Sequence, residues 1–222
     1  MNRRNRQWGH NRRESNYNSL DWAKIDRQPT VHLYAGDLPD DPRYAKFVGL
    51  SLTRQDPRHI RHDVTKQMPL GDSRVTTYYA EDVFEHIRFA ALFKTMRDIY
   101  RVLKPSGVCR LALPDYRCDV LQRRTMKKNG RLVFDPGGGG TLVFGKVFGG
   151  GHVWFPTYEL VEELVNSVPF SEVNFLHYYS SDGSATTHPI DYSLGHVQRT
   201  PDFDKRVATP YRPMSIVVDC VK

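Results

Sequence analysis

The segment from Arg74 to Asp115 limits the possible folds of this chain more than any other. It reads as a strand over Arg74–Ala80, a helix over Glu81–Leu103 and a second strand over Val108–Leu113. Two strands joined by a helix of this length pack in parallel, with a right-handed crossover. Ligands of such open α/β sheets bind beyond the carboxyl ends of the strands, so we expect a site among the polar residues there.

Shorter elements are predicted on both sides of this unit. The predicted strands cover Thr30–Tyr34, Phe47–Leu52, Arg58–Val64, Val173–Tyr179 and Ser215–Val221, and the predicted helices cover Ser19–Arg27, Arg117–Lys128 and the stretch that Thr157 caps. The ten residues between Gly36 and Phe47 include two prolines, so this link has room for one helical turn at most. We therefore predict an α/β, Rossmann-like fold: a mostly parallel twisted sheet with helices on both faces and a C-terminal antiparallel strand pair.

The positive charge of the chain is concentrated at one end. The formal net charge is +7, and of the 32 basic residues five are arginines within the first 13 positions, where no acidic residue occurs. A segment this polar buries too little apolar surface to fold by itself. We expect a basic flexible tail over residues 1–18 and a single domain over residues 19–222. Nucleic-acid binding through residues 1–13 is an alternative use of the tail, but a solvated arm is favoured.

Two absences in the sequence bear on location. No run of about 18 apolar residues is present, so no membrane-spanning helix is expected. The three cysteines are too few and too scattered for a disulfide framework, which indicates buried thiols in a reducing, cytoplasmic compartment.

Two motifs in the central unit carry a family resemblance. They are Ala80–Ile87, with the sequence AEDVFEHI, and Arg101–Gly107, with the sequence RVLKPSG. Together with the single-glycine turn at Gly36, they resemble class I S-adenosylmethionine-dependent methyltransferases over about residues 30–115. In particular, the chain is similar to the small methyltransferase-11-like enzymes, which are often associated with glycans. The resemblance implies S-adenosylmethionine as cofactor and O-methylation of a sugar, a glycan or another small polar acceptor.

The resemblance also implies where the cofactor binds. The expected contacts lie at the ends of the first four strands and are Tyr34, Ala35, Gly36, Asp37, Ser51, Leu52, Asp63, Val64 and Glu81. Gly36 lets a ligand approach the backbone closely, and Asp63 is expected to hold the adenine amino group. Two positions depart from the family pattern. Tyr34 stands where a glycine is usual, and Ser51 replaces a carboxylate that takes the ribose hydroxyls, so it offers a weaker, uncharged contact.

Methyl transfer from a sulfonium depends mainly on positioning, but a hydroxyl acceptor also needs a base with a pKa near the working pH. The candidate catalytic residues are His152, His86 and Asp115, and the candidate acceptor-binding residues are Glu85, Tyr116 and Trp154. For both histidines, a purely structural hydrogen bond is the alternative. His152 follows the glycine-rich segment 137–151, which is either a substrate lid or a flexible connection.

No metal site is predicted from the sequence. His59 and His62 have a metal-like spacing, but without a cysteine pair or carboxylate cluster nearby, hydrogen-bonding histidines are favoured. Two other functions compete with the glycan enzyme. One is a nucleic-acid methyltransferase anchored by the arginine tail, and the other is a non-catalytic binding protein that keeps the fold without the cofactor site. The departures from the family pattern at Tyr34 and Ser51 favour the non-catalytic binding protein.

Overall fold

The computed structural model describes residues 19–222, so the predicted tail over residues 1–18 lies outside the described residues. The strands are β1 (His32–Ala35), β2 (Val48–Ser51), β3 (His59–Arg61), β4 (Val75–Glu81), β5 (Leu103–Pro114), β6 (Met126–Lys128), β7 (Arg131–Phe134), β8 (Thr141–Val143), β9 (Lys146–Phe148), β10 (Glu172–Tyr179), β11 (Ala185–Thr187) and β12 (Ser215–Val221). The α-helices are α1 (Trp22–Asp26), α2 (Phe89–Val102), α3 (Asp119–Arg124), α4 (Tyr158–Val165) and α5 (Lys205–Ala208).

Eight strands form one sheet in the order β11-β10-β12-β5-β4-β1-β2-β3. The five strands from β5 to β3 run parallel to their neighbours, and β12 is inserted antiparallel between β5 and β10. This arrangement confirms the predicted mostly parallel sheet with an antiparallel C-terminal pair. The parallel pairing also brings the carboxyl ends of β1 to β4 to one edge of the sheet, where a ligand site is expected.

The main hydrophobic core lies between the sheet and three helices on one of its faces. Helix α2 buries Leu92, Met96 and Ile99 at helical spacing. Helix α4 buries Val161 and Leu164 in the same cluster, and Ile25 of α1 packs there with the strand residues of that face. Burial of these apolar side chains is the main stabilising contribution to the domain.

The opposite face of the sheet is covered by a single 3-10 turn at Pro42–Tyr44 and by the segment 188–203. The phenol of Tyr79 on β4 donates to the carbonyl of His196 at 2.7 Å, which ties this segment to the sheet. Next to β1 and β2, this face is therefore covered by a turn and an extended segment rather than by a long helix. The reason lies in the short link after β1, whose ten residues and two prolines form one turn, as predicted.

The central helix begins later than predicted. Residues Glu81 to Arg88 are not helical as a whole, because Asp82 has a positive φ of 54°, which an α-helix does not accommodate. A 3-10 turn at Phe84–His86 follows, and α2 starts only at Phe89. Residues 82–88 thus form a loop at the end of β4 rather than the first turns of a helix.

The predicted helix over Arg117–Lys128 is also shorter, since α3 ends at Arg124 and strand β6 follows. Asn129 and Gly130 have φ values of 52° and 75°, the left-handed conformation that a two-residue hairpin turn requires. The glycine-rich segment forms a second hairpin, β8–β9, rather than an irregular loop. Within residues 19–222, the longest helix is α2 with 14 residues, and none is both long and apolar enough to cross a membrane.

Candidate active site

A cavity of about 460 Å³ opens at the carboxyl ends of β1 to β4. This volume lies within the range of small-molecule sites in proteins. The lining residues come from the turns after these strands, from the 3-10 turn and from the glycine-rich segment: Gly36, Leu50, Leu52, His62, Asp63, Val64, Asp82, Val83, His86, Ile87 and Gly150. The walls are mostly apolar, and polar groups stand at a few places, as in sites that enclose an amphipathic ligand.

Gly36 forms the turn directly after β1. Its φ is +95°, a conformation that side chains rarely adopt, and its amide donates to the carbonyl of Leu50 at 2.9 Å. A Cβ built at this position would lie 3.4 Å from Cγ2 of Val83, another residue of the cavity wall. The glycine therefore keeps the turn tight and the backbone open to a ligand.

Asp63 lies on the opposite side of the cavity, after β3. Its Oδ1 accepts hydrogen bonds from the amide and the hydroxyl of Thr65 at 2.9 Å and 2.7 Å. Burial works to raise the pKa of Asp63, but the hydrogen bonds from Thr65 and nearby positive charge together lower it. The carboxylate is thus fixed in an ionised form, and Oδ2 has no hydrogen-bond partner among the described residues.

Tyr34 does not occupy this cavity. Its ring points to the other face of the sheet, where it packs edge-on against Tyr44 and Tyr79 at centroid distances of 5.5 Å and 5.4 Å. Side chains alternate between the faces of a strand, so Tyr34 is directed away while its neighbours Leu33 and Ala35 join the core of the helical face. The large residue in place of a glycine therefore leaves the space for a ligand free.

The remaining predicted cofactor contacts divide into two groups. Leu52 and Val64 line the cavity together with Gly36 and Asp63. Ser51 and Glu81 do not line the cavity, and their acceptor atoms are used within the protein. The Ser51 hydroxyl accepts from the amides of Thr53 and Arg54. The Glu81 carboxylate accepts from the phenol of Tyr44 and from the amide of Gln198, both at 2.7 Å. Ala35 is a core residue and Asp37 is exposed beside the turn.

Three side chains meet beside the cavity: Glu85, His86 and His152. Glu85 is fully buried, and neither of its carboxylate oxygens has a hydrogen-bond partner. Nε2 of His152 lies 3.7 Å from Oε1 of Glu85, too far for a hydrogen bond, and the two imidazole rings are 4.7 Å apart. Burial raises the pKa of Glu85 to about 8, while burial and the neighbouring His86 lower the pKa of His152 to about 4. Both groups are therefore uncharged near neutral pH.

His86 is the candidate catalytic residue that reaches the cavity. Its Nδ1 lies 2.6 Å from the carbonyl oxygen of Gly150, so Nδ1 carries the proton and Nε2 is free to accept. His152 lies behind it, with its Nδ1 in contact with the phenol of Tyr116. Tyr116 is itself buried and donates to Asp135 at 2.6 Å. Thus Tyr116 acts on His152 and is not exposed to an acceptor.

Asp115 and Trp154 form hydrogen bonds to the backbone that hold neighbouring segments together. Both oxygens of Asp115 accept backbone hydrogen bonds, from Arg117 at 2.9 Å and from Tyr179 at 2.8 Å, which join the end of β5 to β10. Trp154 is 9% exposed, donates its indole N–H to the Phe84 carbonyl at 2.9 Å and packs in the core. These contacts argue against the predicted catalytic role of Asp115 and the predicted stacking role of Trp154.

His59 has the hydrogen-bonding role that its sequence context favoured. Its Nδ1 lies 2.9 Å from Asp56, and its Nε2 accepts from the amide of Leu38 at 3.0 Å. Both ring nitrogens are thus occupied by bonds that shape the loops around β2 and β3.

Sequence reasoning missed six of the eleven residues that line the cavity. The missed residues are Leu50, His62, Asp82, Val83, Ile87 and Gly150. His62 and Asp82 directly follow β3 and β4, so their position after a predicted strand was an available signal. Gly150 is different, because it reaches the cavity through the path of the β8–β9 hairpin, which no local pattern reveals.

The sheet order and the strand-end cavity define the class I fold of S-adenosylmethionine-dependent methyltransferases. Residues 40–111 match the family model described as a methyltransferase domain. Among curated proteins, none matches the sequence. The chain thus has the class I fold and carries a match to the methyltransferase domain over about a third of its length, in agreement with the resemblance.

Solved structures with this fold superpose over most of the chain. A possible histamine N-methyltransferase from Thermotoga maritima is 12% identical, with 90% of this chain and 86% of that one covered and a TM-score of 0.51. An S-adenosylmethionine-dependent methyltransferase from Mesorhizobium loti is 13% identical, with coverage of 90% and 97% and a TM-score of 0.51. The 1,6-didemethyltoxoflavin-N1-methyltransferase of Burkholderia thailandensis, solved with 1,6-didemethyltoxoflavin and S-adenosylhomocysteine, is 13% identical, with coverage of 88% and 72% and a TM-score of 0.50.

Proposed function

We propose that this protein transfers the methyl group of S-adenosylmethionine to an oxygen of a small polar acceptor, most specifically a sugar or glycan. The observation that carries the proposal is the cavity of about 460 Å³ at the carboxyl ends of the parallel strands, with a glycine turn on one side and a free carboxylate oxygen on the other. The match to a methyltransferase domain over residues 40–111 supports the same reaction.

The residues of the cavity fit the cofactor. Asp63 is ionised and offers Oδ2 to an exocyclic amine such as that of adenine. Leu52 is 72% exposed at the rim, an unusual position for a large apolar side chain that a stacked base would cover. Gly36 admits the ligand close to the backbone. Asp37 remains a proposed contact at the mouth, beside this turn.

When bound, the cofactor supplies an electrophilic methyl group on a sulfonium. This methyl group would pass to the acceptor oxygen, with S-adenosylhomocysteine as the leaving group and the hydroxyl proton released to solvent. The protein contributes alignment and exclusion of water. We assign the acceptor side of the cavity to His86, whose Nε2 is free because Nδ1 is bonded to Gly150.

The experiment that tests the proposal has two parts. Calorimetric titration of the full chain with S-adenosylhomocysteine is expected to show binding. Incubation with methyl-labelled S-adenosylmethionine and a panel of nucleotide-sugars, glycans and RNA is expected to label a carbohydrate. No heat at millimolar ligand would overturn the enzymatic assignment and favour a binding module. Labelling of RNA alone would overturn the acceptor class.

We also propose a cytoplasmic location. The three cysteines, Cys109, Cys118 and Cys220, are free and buried, and burial raises the pKa of Cys109 and Cys118 above that of an exposed thiol. Buried, unreactive thiols are usual in a reducing compartment.

The substitution Asp63→Asn is expected to weaken S-adenosylhomocysteine binding about tenfold or more. The amide oxygen can still accept from Thr65, so the turn is kept, but a donor replaces the oxygen that faces the adenine amine. Loss of a hydrogen bond to a charged group costs roughly 1.5–3 kcal/mol. Calorimetry measures the change.

Asp182→Asn is the matched control, because Asp182 accepts from the amide and hydroxyl of Ser184 at 2.9 Å and 2.7 Å in a turn between β10 and β11, outside the cavity. Equal affinities of Asp63→Asn and wild type would show that the base is not held at Asp63.

A further inference from the structure

We propose that Glu85, His86 and His152 form a binding site for a divalent transition-metal ion, which holds the acceptor hydroxyl beside the cofactor cavity. The ligand-type atoms of these three side chains all lie within 4.8 Å of one another. Metal binding itself is independent of the proposed function, whereas the role given to the ion rests on it.

Glu85 is the first observation that points to a ligand. Its side chain is fully buried, and both carboxylate oxygens lack a hydrogen-bond partner among the described residues. A buried carboxyl group without partners loses its hydration without compensation, a cost that proteins ordinarily avoid. A bound cation would satisfy both oxygens and explain the position.

Both histidines present the same free nitrogen. Nδ1 of His86 donates to the carbonyl of Gly150, which leaves the lone pair on Nε2. The phenol of Tyr116 donates its only proton to Asp135 at 2.6 Å, so its oxygen accepts from Nδ1 of His152 and again leaves the lone pair on Nε2. Metal-binding histidines are commonly oriented in this way, through a hydrogen bond from the second ring nitrogen.

The support behind His152 extends two residues further. Asp135 is buried and bonded to Arg124 at 2.7 Å, which keeps the carboxylate charged and in place for Tyr116. The imidazole of His152 packs on Gly138, where a Cβ would come within 2.6 Å of the ring. The glycine-rich segment therefore makes room for the imidazole, in addition to any role as a lid.

The distances suit an ion between the three groups. Ligand bonds of about 2.1 Å at tetrahedral angles place ligand atoms roughly 3.4 Å apart. The separation of 3.7 Å between Glu85 and His152 is close to this value, and the ligand atom of His86 lies within 4.8 Å of both. Two imidazoles and one carboxylate are a ligand set used for Zn²⁺ and Fe²⁺, with positions left open for another ligand.

The open coordination positions of the ion would be available to the acceptor hydroxyl. Since His86 also lines the cavity, a ligand that completes the coordination on its side lies next to the cofactor. A divalent ion lowers the pKa of a bound hydroxyl and fixes its direction. The acceptor proton is then released to solvent, and the oxygen is aligned with the methyl group without a strong base.

The test is calorimetric titration of the full chain, freed of metal with chelator, using ZnCl₂, MnCl₂ and CoCl₂ separately. Wild type is expected to bind one equivalent of at least one ion. Glu85→Gln, which keeps the shape of the buried side chain, and His152→Ala are each expected to weaken binding at least tenfold. Tyr116→Phe removes the acceptor for His152 and is expected to weaken it about tenfold to hundredfold. His188→Ala, an exposed histidine outside the cluster, is the matched control and is expected to bind as wild type does.

Absence of binding for all three ions would overturn the proposal, and so would unchanged affinity in Glu85→Gln. Titration of the same variants with S-adenosylhomocysteine separates the two proposals and also shows that the variants are folded. Cofactor binding without metal binding would refute the metal site alone. Metal binding without cofactor binding would refute the methyltransferase function and leave the metal site in place.

Discussion

Replacing Gly36 with valine is expected to abolish measurable binding of S-adenosylhomocysteine, a loss of affinity on the order of hundredfold or more, about 2.7 kcal/mol. The φ of +95° at this position is strongly unfavourable for a β-branched residue, so the turn after β1 must rearrange. Rearrangement breaks the bond from the Gly36 amide to the Leu50 carbonyl and moves the wall that also contains Val83. The affinity is measured by calorimetry.

Gly183→Val separates loss of the site from loss of stability. Gly183 has a φ of +85° in the turn between β10 and β11, and no atom lies within 4 Å of a Cβ built there. Both variants carry backbone strain of roughly 1–3 kcal/mol, and both are expected to lose stability to a similar extent. Only Gly36→Val is expected to lose the ligand. Retained binding in Gly36→Val would show that the cofactor does not use this turn.

Replacing Arg110 with methionine is expected to lower the free energy of unfolding by about 3–5 kcal/mol, because a buried charge is left without its partner. Arg110 is fully buried on β5 and makes two bonds of 2.7 Å to Asp219 on β12. Its third nitrogen donates to the carbonyls of Asp191 and Gly195 at 2.8 Å and 2.7 Å. One side chain thus joins two strands and holds the segment that covers the helix-free part of the sheet. Urea denaturation measures the change.

Two further variants define the cause. Arg123→Met removes an arginine that is 71% exposed in its pair with Asp119, and such a pair contributes roughly 0.2–1 kcal/mol. In the double variant Arg110→Met with Asp219→Leu, no buried charge remains, so much of the lost stability is expected to return. If Arg110→Met unfolds at the same urea concentration as wild type, the ion pair does not anchor the covering segment.

The sequence predicted the architecture well where local patterns are strong. The strand–helix–strand unit, the single turn between Pro42 and Tyr44 and the last strand at Ser215–Val221 were all predicted, because alternation and helical periodicity directly reflect burial. The predicted start of α2 was wrong. The acidic motif after β4 has a composition typical of helices, but Asp82 adopts a left-handed conformation that interrupts a helix. The β6–β7 hairpin was missed although Asn129-Gly130 is a strong turn signal.

The residues of the candidate site also divide into those that local patterns could place and those that they could not. Gly36, Leu52, Asp63 and Val64 line the cavity, since they follow β1, β2 and β3, whose carboxyl ends meet at one edge of the sheet. Ser51 is occupied by its own turn, and Glu81 faces the covering segment. The residue types of Ser51 and Glu81 do not predict these contacts, because the contacts depend on which distant or neighbouring groups the fold brings to each side chain.

Local patterns of apolar and polar residues were enough to predict which residues alternate into the core, which ones end the parallel strands, and hence where the cavity lies. The position of His152 beside Glu85, and the contacts of Tyr116 and Asp135 that fix its ring, emerge from the folded chain alone. Strand and helix patterns reflect the burial of residues that are close in sequence. This cluster instead depends on the path of two hairpins, which return a segment distant in sequence to the strand ends.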